Sequence, residues 1–232
     1  MNKPQTYQLA LHTSLGSGEV CLLQGYSPLD SILWEKEGSH SEWLTLNIAE
    51  LLRRNTLNPS DIEHIFCGVG PGSFTGIRVG VSFSRALAYS LSCTVSALNT
   101  LDLLAATCDR QEGNLLSCID AQKNSVFLST YKLKNGIVFP QKKDLTVPIA
   151  DMGDFFDQPL FVCGDGLDRY SDFLPSLVRK NLLQDPSWKQ ISLTRYFVNT
   201  NTNALPKSSW QNLRPLYIKK SAPEELREKK QT

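Results

Sequence analysis

GVGPGSFTGIRVG, residues 68–80, follows the apolar run HIFC (64–67) and opens a mostly apolar segment that continues to Leu91. A glycine-rich turn between a buried strand and a helix is where α/β proteins often cradle phosphate. The spacing here argues otherwise. A Walker loop carries lysine after its last glycine, and Gly76 is followed by Ile77. The Gly-x-Gly-x-x-Gly pattern fails as well: its third position is Ser73 counted from Gly68 and Thr75 counted from Gly70. Ser73 and Thr75 are placed instead to cap a helix that starts near Phe74.

Within that helix, Gly72, Gly76, Gly80, Ser84 and Ala88 recur every four residues. Each step of four drifts by about 40° on a helix of 3.6 residues per turn, so Gly76, Gly80 and Ser84 form one narrow groove of small residues. A helical glycine costs roughly 1 kcal/mol relative to alanine, so two are expected where another backbone must come close. The other positions (Ile77, Val79, Val81, Phe83, Leu87, Leu91) are apolar nearly all round, with Arg78 and Arg85 the charged exceptions. Such a helix is buried on two sides. The preceding helix, about Ser41 to Asn55 with Ser41 as N-cap, has a core stripe of Leu44, Ile48, Leu51 and Leu52. It adds Trp43 and Leu46 on a neighbouring face, and His40 at its start suits capping or interface packing. Two readings stand: the helices pack only on each other, or they form a docking face for a partner subunit.

Outward from these helices the pattern is α/β and occurs twice. Strands are expected at 7–12, 19–25 and 31–38, with turns at Gly16–Gly18 and Pro28–Asp30. The first helix, a strand at 64–70, the second helix (74–91), a strand at 94–97 and a helix from Thr100 follow. Strands at 114–121 and 125–133, a hairpin at Asn135–Gly136, a helix-like stretch at 152–156, a strand at 159–166 and a helix at 170–180 restart the order. The expected halves are 1–110, carrying the docking helices, and 111–232. Residues 184–207 carry no clear period, and the charged segment from Glu224 reads as a helix end or solvated tail.

The chain has 232 residues, 41% of them hydrophobic, with 24 Lys plus Arg against 23 Asp plus Glu. That balance argues against a dedicated nucleic-acid binder. No apolar run reaches the roughly 20 residues of a membrane span, and the first residues lack a secretory apolar core. The six cysteines include no Cys-x-x-Cys and read as reduced core residues of a cytoplasmic protein. With three histidines and no His-x-x-x-His, a metal site of that kind is excluded, and no cofactor is expected.

The chain resembles the TsaB family in GVGPGSFTGIRVG (68–80), GSHSEWL (38–44), CIDAQKNSVF (118–127), FVCGDG (161–166) and RPLYIKK (214–220). The first block is the most specific, and together they span nearly the whole chain. The resemblance implies the actin-like, ribonuclease H-like fold, two related halves each with a mixed sheet and flanking helices. It implies a non-catalytic subunit of the bacterial complex that forms threonylcarbamoyladenosine at position 37 of tRNAs reading codons that start with A. The implied partners are a TsaD-like catalytic paralogue and a TsaE-like ATPase, with tRNA touched, if at all, indirectly; alone, the chain pairs with itself. Docking runs through the two helices, which assigns His40, Trp43, Leu46, Gly72, Ser73, Thr75, Gly76, Arg78, Gly80, Ser84 and Arg85 to that face.

Where actin-like ATPases place an aspartate at the end of the first strand, and the family usually reads Ile-Asp-Thr, this chain has Leu11-His12-Thr13. Where the family usually reads Asp-Ala-Arg, it has Asp120-Ala121-Gln122. Both changes remove groups that could coordinate metal or phosphate, though Asp120 itself remains. His12, Thr13, Asp120, Gly164 and Asp165 therefore mark a vestigial nucleotide cleft. The competing functions are a small actin-fold ATPase or kinase and a glycoprotease-like peptidase. The first lacks its aspartate, and no catalytic triad or metal pair supports the second.

Overall fold

The computed structural model describes residues 6–35, 40–155, 159–174, 176–200 and 204–218. The strands are β1 (Tyr7–His12), β2 (Ser17–Gln24), β3 (Ser27–Glu35), β4 (Ile62–Gly70), β5 (Thr94–Asn99), β6 (Gly113–Asp120), β7 (Ser125–Lys134), β8 (Ile137–Pro148), β9 (Leu160–Cys163) and β10 (Leu182–Gln184). The helices are α1 (His40–Arg54), α2 (Phe74–Leu91), α3 (Thr100–Ala105), α4 (Ser176–Asn181) and α5 (Leu193–Asn199).

Two five-stranded sheets have the orders β3-β2-β1-β4-β5 and β10-β9-β6-β7-β8. In each, the first strand in sequence lies at the centre. It pairs antiparallel with the next strand and parallel with the strand that returns after a crossover. The expected duplication is thus present, and the fold is actin-like. β1 reads as a continuous apolar run because Leu9, Ala10 and Leu11 are covered on both faces.

α1 and α2 cover one face of the first sheet around Leu11, Leu44, Leu51, Ile65, Ile77 and Val81. The short helical turns of the second half cover the corresponding face of its sheet around Leu116, Leu128, Met152 and Val162. The remaining core is shared: Ala10, Phe66 and Leu98 of the first sheet, Leu101 and Leu104 of α3, and Leu115, Tyr131 and Leu133 of the second sheet meet in one cluster. Truncating a fully buried leucine there to alanine costs roughly 2–5 kcal/mol.

Several boundaries differ from those expected. The second hairpin, β2–β3, turns at Gly25–Tyr26, both with positive φ, rather than at Pro28, which lies inside β3. Proline is tolerated there because β3 is an edge strand. α1 starts at His40, so Ser41 lies in its first turn and is not the cap. The helix expected at 170–180 is a 3₁₀ segment (Asp168–Phe173) followed by α4. Residues 36–39, 156–158 and the charged segment from Lys219 onward lie outside the described residues.

The stretch without a clear period contains α5 and a return to the first half. The α5 backbone is anchored by Glu19 of β2, which accepts from Leu193 N at 2.7 Å. Burial pushes the Glu19 carboxyl up to about 7. Residues 204–218 then form a strap over the first half. Val95 and Ser208 exchange backbone hydrogen bonds, Ser96 Oγ donates to Pro206 O at 2.8 Å, and Leu216 N donates to Val69 O at 2.8 Å. Beneath it His64 sits 2.7 Å from Thr94 Oγ1 and 3.0 Å from Ser96 Oγ. Burial, with Lys207 adding like charge, lowers its pKa to about 4.

Candidate functional site

Ser73 caps α2, its hydroxyl accepting from Gly76 N at 3.3 Å, while Thr75 is exposed one residue into the helix. Ser73 N donates to Ser14 O at 2.8 Å, and the Thr13 hydroxyl donates to Gly76 O at 2.7 Å. The Thr100 hydroxyl closes the same knot by donating to Ser14 Oγ at 2.9 Å. His12, Thr13 and Ser14 are fully buried. The loop after β1, where an actin-like ATPase would receive phosphate, is therefore clamped beneath the start of α2.

That clamp explains the glycines and corrects their expected role. A Cβ on Gly72 would run into the Ser14 carbonyl, and one on Gly76 into the Thr13 carbonyl. On Gly80 it would come within 2.5 Å of Thr13 Oγ1 and 3.6 Å of Leu11 Cδ1. Ser84 on the same side is fully buried. The approaching backbone is the chain's own β1 and its loop. Gly72, Gly76, Gly80 and Ser84 serve internal packing and do not form a groove open to a partner.

The second-half loop is also engaged with its own chain. Asp120 Oδ1 accepts from Gln122 N at 2.7 Å and from the Tyr170 hydroxyl at 2.9 Å. Gly164 N donates to Trp188 O and Gly166 N to Cys118 O. Desolvation, with Asp168 and Asp120 adding like charge, pushes the Asp165 carboxyl above its ordinary pKa. A Cβ on Gly164 would lie 3.1 Å from Leu104 Cδ1 of α3, so the first half packs directly against this loop. Of the residues read as a vestigial cleft, Thr13 is tied under α2, His12 is buried at the end of β1 beside Gly68, and Asp120, Gly164 and Asp165 lie around Cys118. Among the described residues no group of three His, Cys, Asp or Glu is placed to hold a metal, and no helix is long and apolar enough to cross a membrane.

The opposite side of α2 faces outward, beside the outer side of α1. Trp43 is 37%, Leu46 62%, Phe74 38% and Tyr89 68% exposed. Between the helices lies an open groove of about 610 Å³ lined by Ser41, Phe74, Thr75, Arg78, Val79, Ser82 and Phe83. Arg78 is the single charge in that lining. Its guanidinium lies 3.9 Å from the Phe74 ring centre, and its Nε donates to the Tyr217 hydroxyl at 3.0 Å. The Tyr217 ring in turn stacks on Phe74, with centres 5.0 Å apart. At the far end of α2, Trp210 packs edge-on to Tyr89 at 5.3 Å, with Arg85 5.7 Å from its ring centre.

Of the residues expected to dock, Trp43, Leu46, Thr75 and Arg78 are on this outer surface. Ser73 caps the helix, Arg85 lies 5.7 Å from the ring centre of Trp210 in the strap, and the side chain of His40 lies outside what the structure describes. Phe74, Phe83, Tyr89, Trp210 and Tyr217 belong to the surface and were not singled out. The signal for Phe74 and Tyr89 was available in their positions on the α2 face opposite the glycines. Trp210 and Tyr217 reach it through long-range contacts.

A duplicated actin-like fold, with the loop after β1 clamped under α2 and an aromatic helical side exposed, defines a chain of the actin-like class. Its kinship is specific. The family model for TsaD, tRNA N6-adenosine threonylcarbamoyltransferase, matches residues 35–152. The tRNA threonylcarbamoyladenosine biosynthesis protein TsaB of Bacillus subtilis is 30% identical over 159 residues, 67% of this chain and 69% of that protein. The protein of the same name from Haemophilus influenzae is 32% identical over 124 residues, and the match spans about half of each chain, 52% in both cases. The solved structure of YeaZ from Pseudomonas aeruginosa superposes with a TM-score of 0.77 at 23% identity, covering 91% of this chain and 99% of that one. The chain belongs to the TsaB family.

Proposed function

We propose that this chain is a non-catalytic subunit of the machinery that forms N6-threonylcarbamoyladenosine at position 37 of tRNAs reading codons that begin with A. In this reading it docks on a TsaD-like catalytic subunit through the outer sides of α1 and α2. The names of its relatives supply the process. The observation that carries the role is the outward aromatic and aliphatic surface around Trp43, Leu46 and Phe74. It sits on a chain whose Thr13–Ser14 loop is sealed by its own helix. Large exposed apolar side chains gathered on one surface are the usual mark of a protein interface. The match of this chain to a TsaD model supports a paralogue as the partner, since related surfaces pair readily about a pseudo-twofold axis. Without that partner, the same surface serves a second copy of the chain.

Reconstitution with the cognate TsaD-like and TsaE-like proteins tests the role. Omitting this chain should abolish tRNA modification. Asp120→Ala and Ser73→Ala should leave it within about tenfold, because loss of a general acid or base costs about 10²–10⁴-fold. A loss of several hundredfold with the complex intact makes the subunit a catalyst. ATP turnover by the purified chain alone, removed by a change at Asp120, revives the ATPase reading.

A further inference from the structure

We propose that Arg78, held in place by Phe74 and Tyr217, is a carboxylate receptor that pairs with an aspartate or glutamate on the helix of the TsaD-like subunit seated in the α1–α2 groove. The inference rests on the docking reading above and names the chemistry at its centre. The groove is walled by Phe74, Val79 and Phe83 with the hydroxyl residues Ser41, Thr75 and Ser82, and Arg78 is its one charge among the described residues. A protein helix that fills such a groove removes water from the guanidinium. A charge desolvated without a counter-charge strongly opposes association, so a partner that binds stably must bring an anion to that point.

The arrangement of Arg78 selects the anion. One face of the guanidinium lies against the Phe74 ring at 3.9 Å, and Nε is engaged by the Tyr217 hydroxyl at 3.0 Å. The two terminal nitrogens make no hydrogen bond among the described residues, and such a planar pair of donors can take both oxygens of a carboxylate. A phosphate of a nucleic acid would match the fork as well. A surface that follows a phosphodiester backbone carries several cations, however, and among the described residues this groove holds a single one. Tyr217 is a positioning residue: it reaches α2 from the strap, which is pinned beside it by the Leu216 N to Val69 O hydrogen bond. Part of the recognition geometry is thus supplied from the C-terminal region, 139 positions away from Arg78 in sequence.

The test is the affinity of the purified full-length chain for its cognate TsaD-like subunit, titrated at low and high salt. Arg78→Met keeps the side chain's length and removes its charge. It should weaken binding by at least about thirtyfold and flatten the salt dependence. Arg78→Lys keeps the charge and loses the fork, and should weaken binding about tenfold. Tyr217→Phe keeps the ring stack and loses the orienting hydroxyl. It should cost about three- to tenfold with an unchanged melting temperature. Leu46→Glu is the control on the surface itself and should abolish capture whatever Arg78 does.

If Leu46→Glu abolishes binding while Arg78→Met leaves both affinity and salt dependence as in the parent, the carboxylate receptor is refuted and the docking surface stands. Full binding by Leu46→Glu, or no binding by the parent chain, removes both readings. Arg78→Lys equal to the parent overturns the fork. If Arg78→Met affects only self-association in sedimentation, or only retention of tRNA in a gel shift, the occupant has been misassigned and the proposal fails.

Discussion

The two long sides of α2 are built from different residues for different neighbours. On the inner side Gly76, Gly80, Ser84 and Ala88 are buried, and the first two admit the loop after β1 to contact distance. On the outer side Phe74, Thr75, Arg78, Ser82 and Tyr89 are exposed. Small residues in register mark a close approach, but their spacing alone does not say whose backbone approaches. Here it is the chain's own, and the sequence signal for a partner is the large apolar residues on the reverse side.

The largest expected effect breaks the inner side. Gly80→Leu drives a branched side chain into Thr13 and Leu11, which also fix the loop that holds Gly76. Overpacking of this kind costs about 3 kcal/mol or more once the neighbours cannot yield. Urea denaturation should show a large loss of stability or no folded protein. A stable variant that merely fails to bind a partner would return the glycines to the interface.

The reciprocal break is on the outer side. Trp43→Ala and Leu46→Glu should leave stability within about 0.5 kcal/mol, as is usual for exposed positions. Trp43→Ala should weaken capture of the TsaD-like subunit by about 2 kcal/mol, roughly thirtyfold, and Leu46→Glu should abolish it, if these residues are anchors of the interface. Equal losses of stability and binding would erase the distinction between the two sides.

A third measurement probes the face of the first sheet turned away from α2. Glu19, raised to about 7, and His64, lowered to about 4, respond to pH with opposite sign. Between pH 5 and 6.5 the folded chain holds a proton on Glu19 that the unfolded chain releases, so that contribution to stability declines as pH rises. His64 is neutral in the folded chain and protonated in the unfolded one, so its contribution declines as pH falls. Each amounts to about 1.5 kcal/mol over this window, and in the parent chain they nearly cancel. Glu19→Gln should therefore lose stability on acidification and His64→Gln gain it. Parallel pH profiles for the two variants would show that one of these groups is solvated.

The smallest effect is at the junction of the two sides. Ser73→Ala removes the cap on α2 and should cost about 0.5–1 kcal/mol in thermal or urea unfolding, with partner binding little changed.

Much of the fold was legible because its determinants are local. β1 and α2 have the bounds read from their apolar runs, and the second half repeats the order of the first. What was not legible depends on distant contacts. α5 is seven residues long, and its buried Leu193, Tyr196 and Phe197 give too little period to distinguish a helix from a loop. The strap has no repeating pattern, and its conformation comes from Val95, Val69 and the rings of α2. The candidate site divides in the same way. Trp43 and Leu46 were read onto an outer face from helical periodicity, whereas Arg78 was assigned there through the family resemblance. The role of Gly76 and Gly80 was misjudged because Thr13 lies 63 residues from Gly76 in sequence.

The strap also sets an order in time. The ribosome completes α1, α2 and the sheet beneath them while Trp210 and Tyr217 have yet to be made. At typical bacterial elongation rates of about 5–20 residues per second, more than a hundred further residues occupy roughly 6–25 s. During that interval the outer rings of α2 lack their covering aromatics, and Arg78 lacks the hydroxyl that orients it. The nascent first half is thus a helix pair with an unfinished surface. On the proposed docking, recognition would be complete only when residues 204–218 have been translated and folded back, which would favour assembly from finished subunits over capture during synthesis.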